Sequence, residues 1–239
     1  MIDLERFKSV ILGVDCAIFT TDKFTEDNPH RDDERRLQVL LIRRNTEPYR
    51  GMWSLPGGLV ENDRTIEDTL DIKLLHKINL NDFYKEQLYT YSEVSRDPRG
   101  RVISSAYIGV VYKDAVVNIK DMGRGEPRWF WVHLDRQDNV KIIDSVTNEG
   151  IDELAFDHRR IIKDALLRLR NKLEYTDMLY RMLPREFTIG ELQDIFEEIL
   201  GKHKQSFRRY IGNRIIETDR FAERRAHRPA KLYRYSGEF

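Results

Sequence analysis

Lys73 and Lys77 stand four residues apart in the run Thr65 to Ile78, a spacing that puts two ammonium groups on one face of a helix, one turn apart. The run follows a glycine loop, Trp53-Ser54-Leu55-Pro56-Gly57-Gly58-Leu59-Val60-Glu61, and ends at Asn79-Leu80. Magnesium or manganese needs hard anionic oxygens, and such a face repels them. The carboxylates left nearby are Glu61, Glu67, Asp68 and Asp71. They form either a relocated metal site or, for the last three, the acidic start of an amphipathic helix, where negative charge suits the positive end of the dipole.

A second group with chemistry is Arg96-Asp97-Pro98-Arg99-Gly100-Arg101. Guanidinium forks match phosphate oxygens in pairs, so Arg96, Arg99 and Arg101 form a candidate clamp for a phosphate or diphosphate. The alternative is that Asp97 and its arginines fix the loop by local ion pairs, which at a surface contribute only about 0–1 kcal/mol. Arg43 and Arg44 follow an apolar run and are expected at the edge of whatever pocket the glycine loop and its helix complete. Trp53 and Tyr91 are candidates for stacking on a base or packing a sugar, or else for the core.

The elements that must position these groups are legible as hydrophobic runs. Val10 to Phe19 and Leu37 to Ile42 read as buried strands, with Asp22 to Arg36 as a charged surface loop between them. Glu86 to Tyr91, Val102 to Tyr112 and Trp129 to Val132 read as further strands. Helices interleaved with strands indicate an α/β sandwich with a mixed sheet. From Asp157 to about Lys172 the apolar residues Ile161, Ile162, Ala165, Leu166, Leu169 and Leu173 follow helical spacing. The loop composition Thr147-Asn148-Glu149-Gly150 sets an expected boundary between domains 1–150 and 151–239.

The 239 residues carry 41 basic and 41 acidic side chains, so the total charge says nothing about partners. Its distribution does: between Gly201 and Phe239 the basic residues far outnumber Glu217, Asp219, Glu223 and Glu238. A confined basic excess is the footprint of a nucleic-acid-binding module. The lone Cys16 excludes an internal disulfide and reads as a buried thiol. With no signal-like start and no long apolar segment, the expectation is a cytoplasmic protein without a membrane contact.

That basic segment also has a fold. Thr188 and Glu191 form a capping box and Phe187 with Leu192 a hydrophobic staple. The helix buries Leu192, Ile195, Phe196 and Ile199 and stops at Gly201. After the turn Lys202 to Gln205, Ser206 caps a second helix with Phe207, Ile211 and Ile215 inward and Arg208, Arg209 and Arg214 outward. Ile215 to Thr218 and Lys231 to Tyr235 then read as strands around the basic tip Arg224-Arg225-Ala226-His227-Arg228-Pro229. Together these predict a winged helix, whose second helix enters the major groove. A small helical interaction domain with incidental charge is the alternative.

Gly57 to Leu80 resembles the Nudix box, the loop-helix-loop signature of Nudix hydrolases, whose glutamates bind metal. The box has its frame and lacks its chemistry: the pattern expects Glu at Arg64, Arg-Glu at Ile72-Lys73, and two glutamates at His76-Lys77. The resemblance therefore implies a ligand-binding domain with no catalytic residue, metal or cofactor. The alternative is a Nudix hydrolase of a nucleoside diphosphate derivative with an unusual metal site.

Both halves together resemble the Nudix-related transcriptional regulators, typified by ADP-ribose-responsive repressors of NAD biosynthesis genes. Carrying the likeness are the box, Glu86 to Arg101, Leu154-Ala155-Phe156-Asp157-His158, Leu183 to Arg209 and Arg228 to Tyr233. The resemblance implies an α+β chain, a Nudix-like α/β/α sandwich followed by a winged helix. It further implies a homodimer on a palindromic duplex DNA operator and a small-molecule effector: ADP-ribose, NAD or a sugar. Effector contacts are expected at Arg43, Arg44, Trp53, Arg96, Arg99 and Arg101. DNA contacts are expected at Lys204, Gln205, Ser206, Arg208, Arg209, Arg224, Arg225, Arg228 and Lys231. The charged insertion from Asn28 to Arg36 departs from the family pattern.

Overall fold

The computed structural model describes residues 10–24, 34–80, 83–116, 126–173, 175–222 and 229–237. The first apolar run forms strand β1 (Ile11–Phe24). Successive side chains of a strand point to opposite faces, and β1 uses both: Val14, Cys16 and Ile18 enter one core, Ala17 and Phe19 the other. The buried Cys16 is free, as its apolar neighbours predict.

β2 (Glu34–Arg43), β3 (Trp53–Ser54), β4 (Gly57–Leu59), β5 (Tyr84–Tyr91), β6 (Val102–Val110), β7 (Pro127–Leu134) and β8 (Val140–Asp144) complete the sheet. Its order is β5-β6-β1-β2-β7-β8, with β4 on β1 and β3 on β2. β1 and β6 run parallel and the other neighbours antiparallel, so the sheet is mixed, as expected. β8 has no counterpart among the strands expected from sequence; only Val140 and Ile142 alternate in so short a run.

Helix α1 (Ile66–Ile78) covers one face through Leu70, Leu74 and Ile78. Thr65 caps it by accepting from the Asp68 amide, and Asn79 closes it in the left-handed region. Helix α2 (His158–Lys172) covers the other face through Ile161, Ile162, Ala165, Leu166 and Leu169, with Leu173 beyond its end. Each such aliphatic burial is worth about 1.5–3 kcal/mol, which is what fixes the two helices to opposite faces. The result is the expected α/β/α sandwich.

The 22–36 segment corrects the loop expectation at both ends. β1 and β2 extend as a hairpin in which Asp22, Lys23 and Phe24 pair with Arg36, Arg35 and Glu34; the remaining residues lie outside those described. Charge did not prevent strand formation because the extension has something to pack on. The Thr21 hydroxyl donates to the Met182 carbonyl at 2.8 Å, and Phe24 meets Trp131 edge-on under the Arg36 guanidinium.

The C-terminal part holds α3 (Ile189–Leu200), α4 (Phe207–Ile211), β9 (Ile215–Phe221) and β10 (Lys231–Tyr235). The capping box of Thr188 and Glu191 is present, and Gly201 ends α3 at φ 72°, a conformation glycine adopts without steric cost. β9 and β10 pair as the wing. Phe187 exchanges both backbone bonds with Tyr233 and adds a third short strand position to it.

Two local expectations differ. Ser206 precedes α4 with φ 56° and makes no side-chain cap bond. α4 is five residues long and passes through a 3-10 turn into β9, so Arg214 and Ile215 lie beyond it. Phe207 and Ile211 are buried as expected, packed with Phe196.

The core does not divide at residue 150. Leu192, Ile195, Phe196 and Phe207 belong to the same buried cluster as Val39, Leu41 and α2. α2, expected in the second domain, packs on the sheet of the first.

Candidate functional site

The glycine loop builds its wall by backbone contact. Gly57 pairs with Asp15 of β1, and a Cβ there would sit 2.2 Å from the Val14 carbonyl oxygen, so only glycine fits. The segment leading into α2 arrives from the opposite side: the Ala155 amide donates to the Trp53 carbonyl, and the Leu55 amide donates to His158 Nδ1 at 2.9 Å. Because Nδ1 accepts, the ring proton sits on Nε2, 3.4 Å from Asp15 Oδ1. Between these walls lies a cavity of about 200 Å³ whose charged lining comprises Arg44, Lys77, Arg96 and Arg99 with Asp15 and Asp97.

The carboxylates in the cleft are already engaged. Asp15 Oδ2 accepts from Ser104 at 2.6 Å and from Arg96 at 3.4 Å. Burial pushes its pKa up, but His158, Ser104 and Arg96 together outweigh that and hold it well below the usual carboxylate range. Asp97 takes a bidentate contact from Arg99 at 2.9 and 2.6 Å, which lowers its pKa.

The Arg44 guanidinium donates to two carbonyls, that of Pro48 at 2.8 Å and that of Thr46 at 3.5 Å. Burial and the neighbouring Arg99 charge both lower its pKa. A guanidinium destabilised by a like charge gains most from an incoming anion.

The charged side chains of the box pair locally. Lys77 Nζ donates to the Gly57 carbonyl at 2.7 Å, and the Lys73 chain lies across Gly58 with its ammonium 3.5 Å from Glu61. Glu61 also pairs with Arg64 at 3.1 Å. Glu67 accepts from Tyr107, Asp68 from Thr65, and Asp71 pairs with Lys85. The four carboxylates considered for a relocated metal site are thus each engaged by different partners.

Of the expected effector contacts, Arg44, Arg96 and Arg99 meet in the cleft, and Arg43, Trp53 and Arg101 do not line it. Arg96 is buried, with Nε and Nη2 on the two oxygens of Asp157 at 3.0 and 2.7 Å. Arg101 donates to the Ser92 carbonyl and Arg43 to that of Gly51. Trp53 packs edge-on to Phe130 under Arg128, and Tyr91 is buried with its hydroxyl on Asp164.

The aromatic residue in the cleft is Phe156, to which sequence reasoning gave no role. Its φ is 57°, unusual for a bulky residue, and its ring lies 4.8 Å from the Arg44 guanidinium and 5.6 Å from that of Arg99. The available signal was its place two residues before His158, in a segment already carrying the family likeness.

In the winged helix, Gln205, Ser206, Arg208 and Arg209 are exposed around α4. Arg208 Nη2 donates to the Tyr233 hydroxyl at 3.0 Å, which ties α4 to the wing. Lys204 lies 4.5 Å from the Tyr210 ring centre, and Lys231 pairs with Glu217 at 3.2 Å. Arg224, Arg225 and Arg228 lie outside the described residues. Among the described residues no helix is long and apolar enough to cross a membrane.

Residues 179–235 match the family model of the NrtR DNA-binding winged helix domain, and residues 29–147 that of the NUDIX domain. The chain is 33% identical over 236 residues to the ADPR responsive transcriptional repressor NtrR of Acinetobacter baylyi, covering 96% of this chain and 84% of that protein. It is 34% identical over 131 residues to an ADP-ribose pyrophosphatase of Methanocaldococcus jannaschii, covering 55% of this chain and 67% of that one. The crystal structure of Shewanella oneidensis NrtR complexed with a 27mer DNA superposes with a TM-score of 0.69 at 31% identity, covering 94% of this chain and 93% of that one. Carrying both a Nudix sandwich and an NrtR winged helix, the chain belongs to the family of Nudix-related transcriptional regulators.

Proposed function

We propose that this chain is a cytoplasmic, homodimeric repressor that binds a palindromic operator and releases or retains it in response to ADP-ribose. The observation that carries the reading is the cleft: four cations against two already paired carboxylates, beside a box whose acid positions hold Lys73 and Lys77. Such a cleft fits an anion and disfavours the metal needed to cleave it. The relative in Acinetobacter baylyi, named an ADPR responsive repressor, supports ADP-ribose over NAD or a sugar as the effector.

The effector contacts proposed are Arg44, Arg96, Arg99 and Phe156, with Arg43, Trp53 and Arg101 supporting the walls. Lys204, Gln205, Ser206, Arg208, Arg209 and Lys231 contact DNA in this reading, together with Arg224, Arg225 and Arg228 of the wing tip. The junction between the two domains falls between residues 173 and 179, after α2 and at the start of the matched winged helix.

The test is a gel shift of duplex operator DNA titrated with ADP-ribose: binding that weakens steeply with salt and responds to ADP-ribose is expected. DNA affinity indifferent to ADP-ribose overturns the effector. The hydrolase reading, favoured by the pyrophosphatase relative, predicts AMP release from ADP-ribose with magnesium or manganese, lost on substituting Glu61 or Asp71.

A further inference from the structure

We infer that the Lys77 ammonium takes the place of the divalent cation in this cleft, so that a diphosphate is held by side-chain cations without a metal. The inference rests on the effector reading above and adds what neutralises the ligand. The residues present do not fit a divalent ion. Arg64, Lys73, His76 and Lys77 occupy the positions where the Nudix pattern has acids. The oxygen that the glycine loop offers beside the cleft, the Gly57 carbonyl, already accepts from Lys77 Nζ at 2.7 Å. Glu61, the loop's own carboxylate, is shared by Arg64 and Lys73.

An ion entering here would meet Arg44, Lys77, Arg96 and Arg99, with Asp15 and Asp97 already paired. Repulsion among charges is stronger in a partly buried site than in water. A dianionic diphosphate meets the same groups with the opposite sign. Lys77 is anchored for this role: its ammonium is fixed against backbone by Gly57, whose own position is set by its close approach to β1. The ligand is thereby bound by groups that stabilise its ground state and present no activated water.

The experiment is isothermal titration calorimetry of the full chain with ADP-ribose in excess magnesium chloride and in excess EDTA. The two dissociation constants should agree within about threefold, and affinity about tenfold higher with magnesium overturns the inference. Lys77→Met should weaken binding about tenfold or more in both buffers, the scale of one charge-assisted hydrogen bond, while Lys77→Arg keeps most of it. A folded Lys77→Met protein that binds like wild type overturns the role of Lys77. Should that variant fail to fold, the wild-type metal comparison and Lys77→Arg still decide. No binding by wild type in either buffer overturns instead the effector reading beneath it.

Discussion

Arg35 and Glu191 join the two halves of the chain: the guanidinium holds Glu191 Oε1 at 3.0 Å, while Oε2 of the same carboxylate accepts from the Thr188 amide at 2.9 Å. One side chain thus closes the capping box of α3 and receives the β2 hairpin of the sandwich. Arg35 is largely buried, so removing it leaves a charge without its partner. Arg35→Ala should cost about 1–3 kcal/mol in urea unfolding. It should also reduce the effect of ADP-ribose on operator affinity more than operator affinity itself. Unchanged coupling in a gel shift would show that the joint is structural only.

Asp15, Arg96 and Asp157 form a half-buried charged cluster beside the cleft, with the His158 ring against Asp15. The folded-state pKa of Asp15 is lowered, so its contribution is present above the unfolded value of about 3.9 and disappears as pH falls through the folded one. Between about pH 5 and pH 3 this stability begins to be lost. Asp15→Asn should destabilise by about 3 kcal/mol at neutral pH, because it leaves Arg96 short of a charge and His158 Nε2 facing a weaker acceptor. Its acid-induced loss over that window should be shallower than that of wild type. Parallel pH dependence in urea melts would remove the assignment.

Phe156 and Arg44 define the most specific expectation about the effector. Arg44→Ala should weaken ADP-ribose about tenfold or more with the melting temperature little changed, since the Pro48 and Thr46 carbonyls it contacts are half-buried or exposed. Phe156→Ala should lose a comparable factor by removing the ring between the two arginines. Calorimetry on both variants checks this, and wild-type affinity in Arg44→Ala would move the site elsewhere.

Arg209 is exposed on α4. Arg209→Ala should weaken operator binding by about 1–3 kcal/mol if it reads a base, or lower the salt slope by about 1 if it holds a phosphate. Arg208→Ala carries an added cost, the lost bond to Tyr233. A salt titration of both variants separates the two roles, and wild-type affinity in each would displace α4 as the recognition element.

What the sequence determined by itself was much of what is set by neighbours a few residues apart, though not the Ser206 cap. Thr188 and Glu191 cap α3 through bonds three residues long, and α2 buries its periodic aliphatics. The lysines of the box helix are read directly from their positions. What only the tertiary structure decided depends on partners far along the chain. Arg96 reads as a free clamp until Asp157, 61 residues on, and Asp15, 81 residues back, are brought beside it. The stretch 22–36 reads as loop until its flanks find the winged helix, because strand formation there rests on Thr21 with Met182 and Arg35 with Glu191. Phe156 enters the cleft, and Trp53 packs against the core, only once α2 docks on the sheet, since no local pattern records which aromatic a distant element will cover.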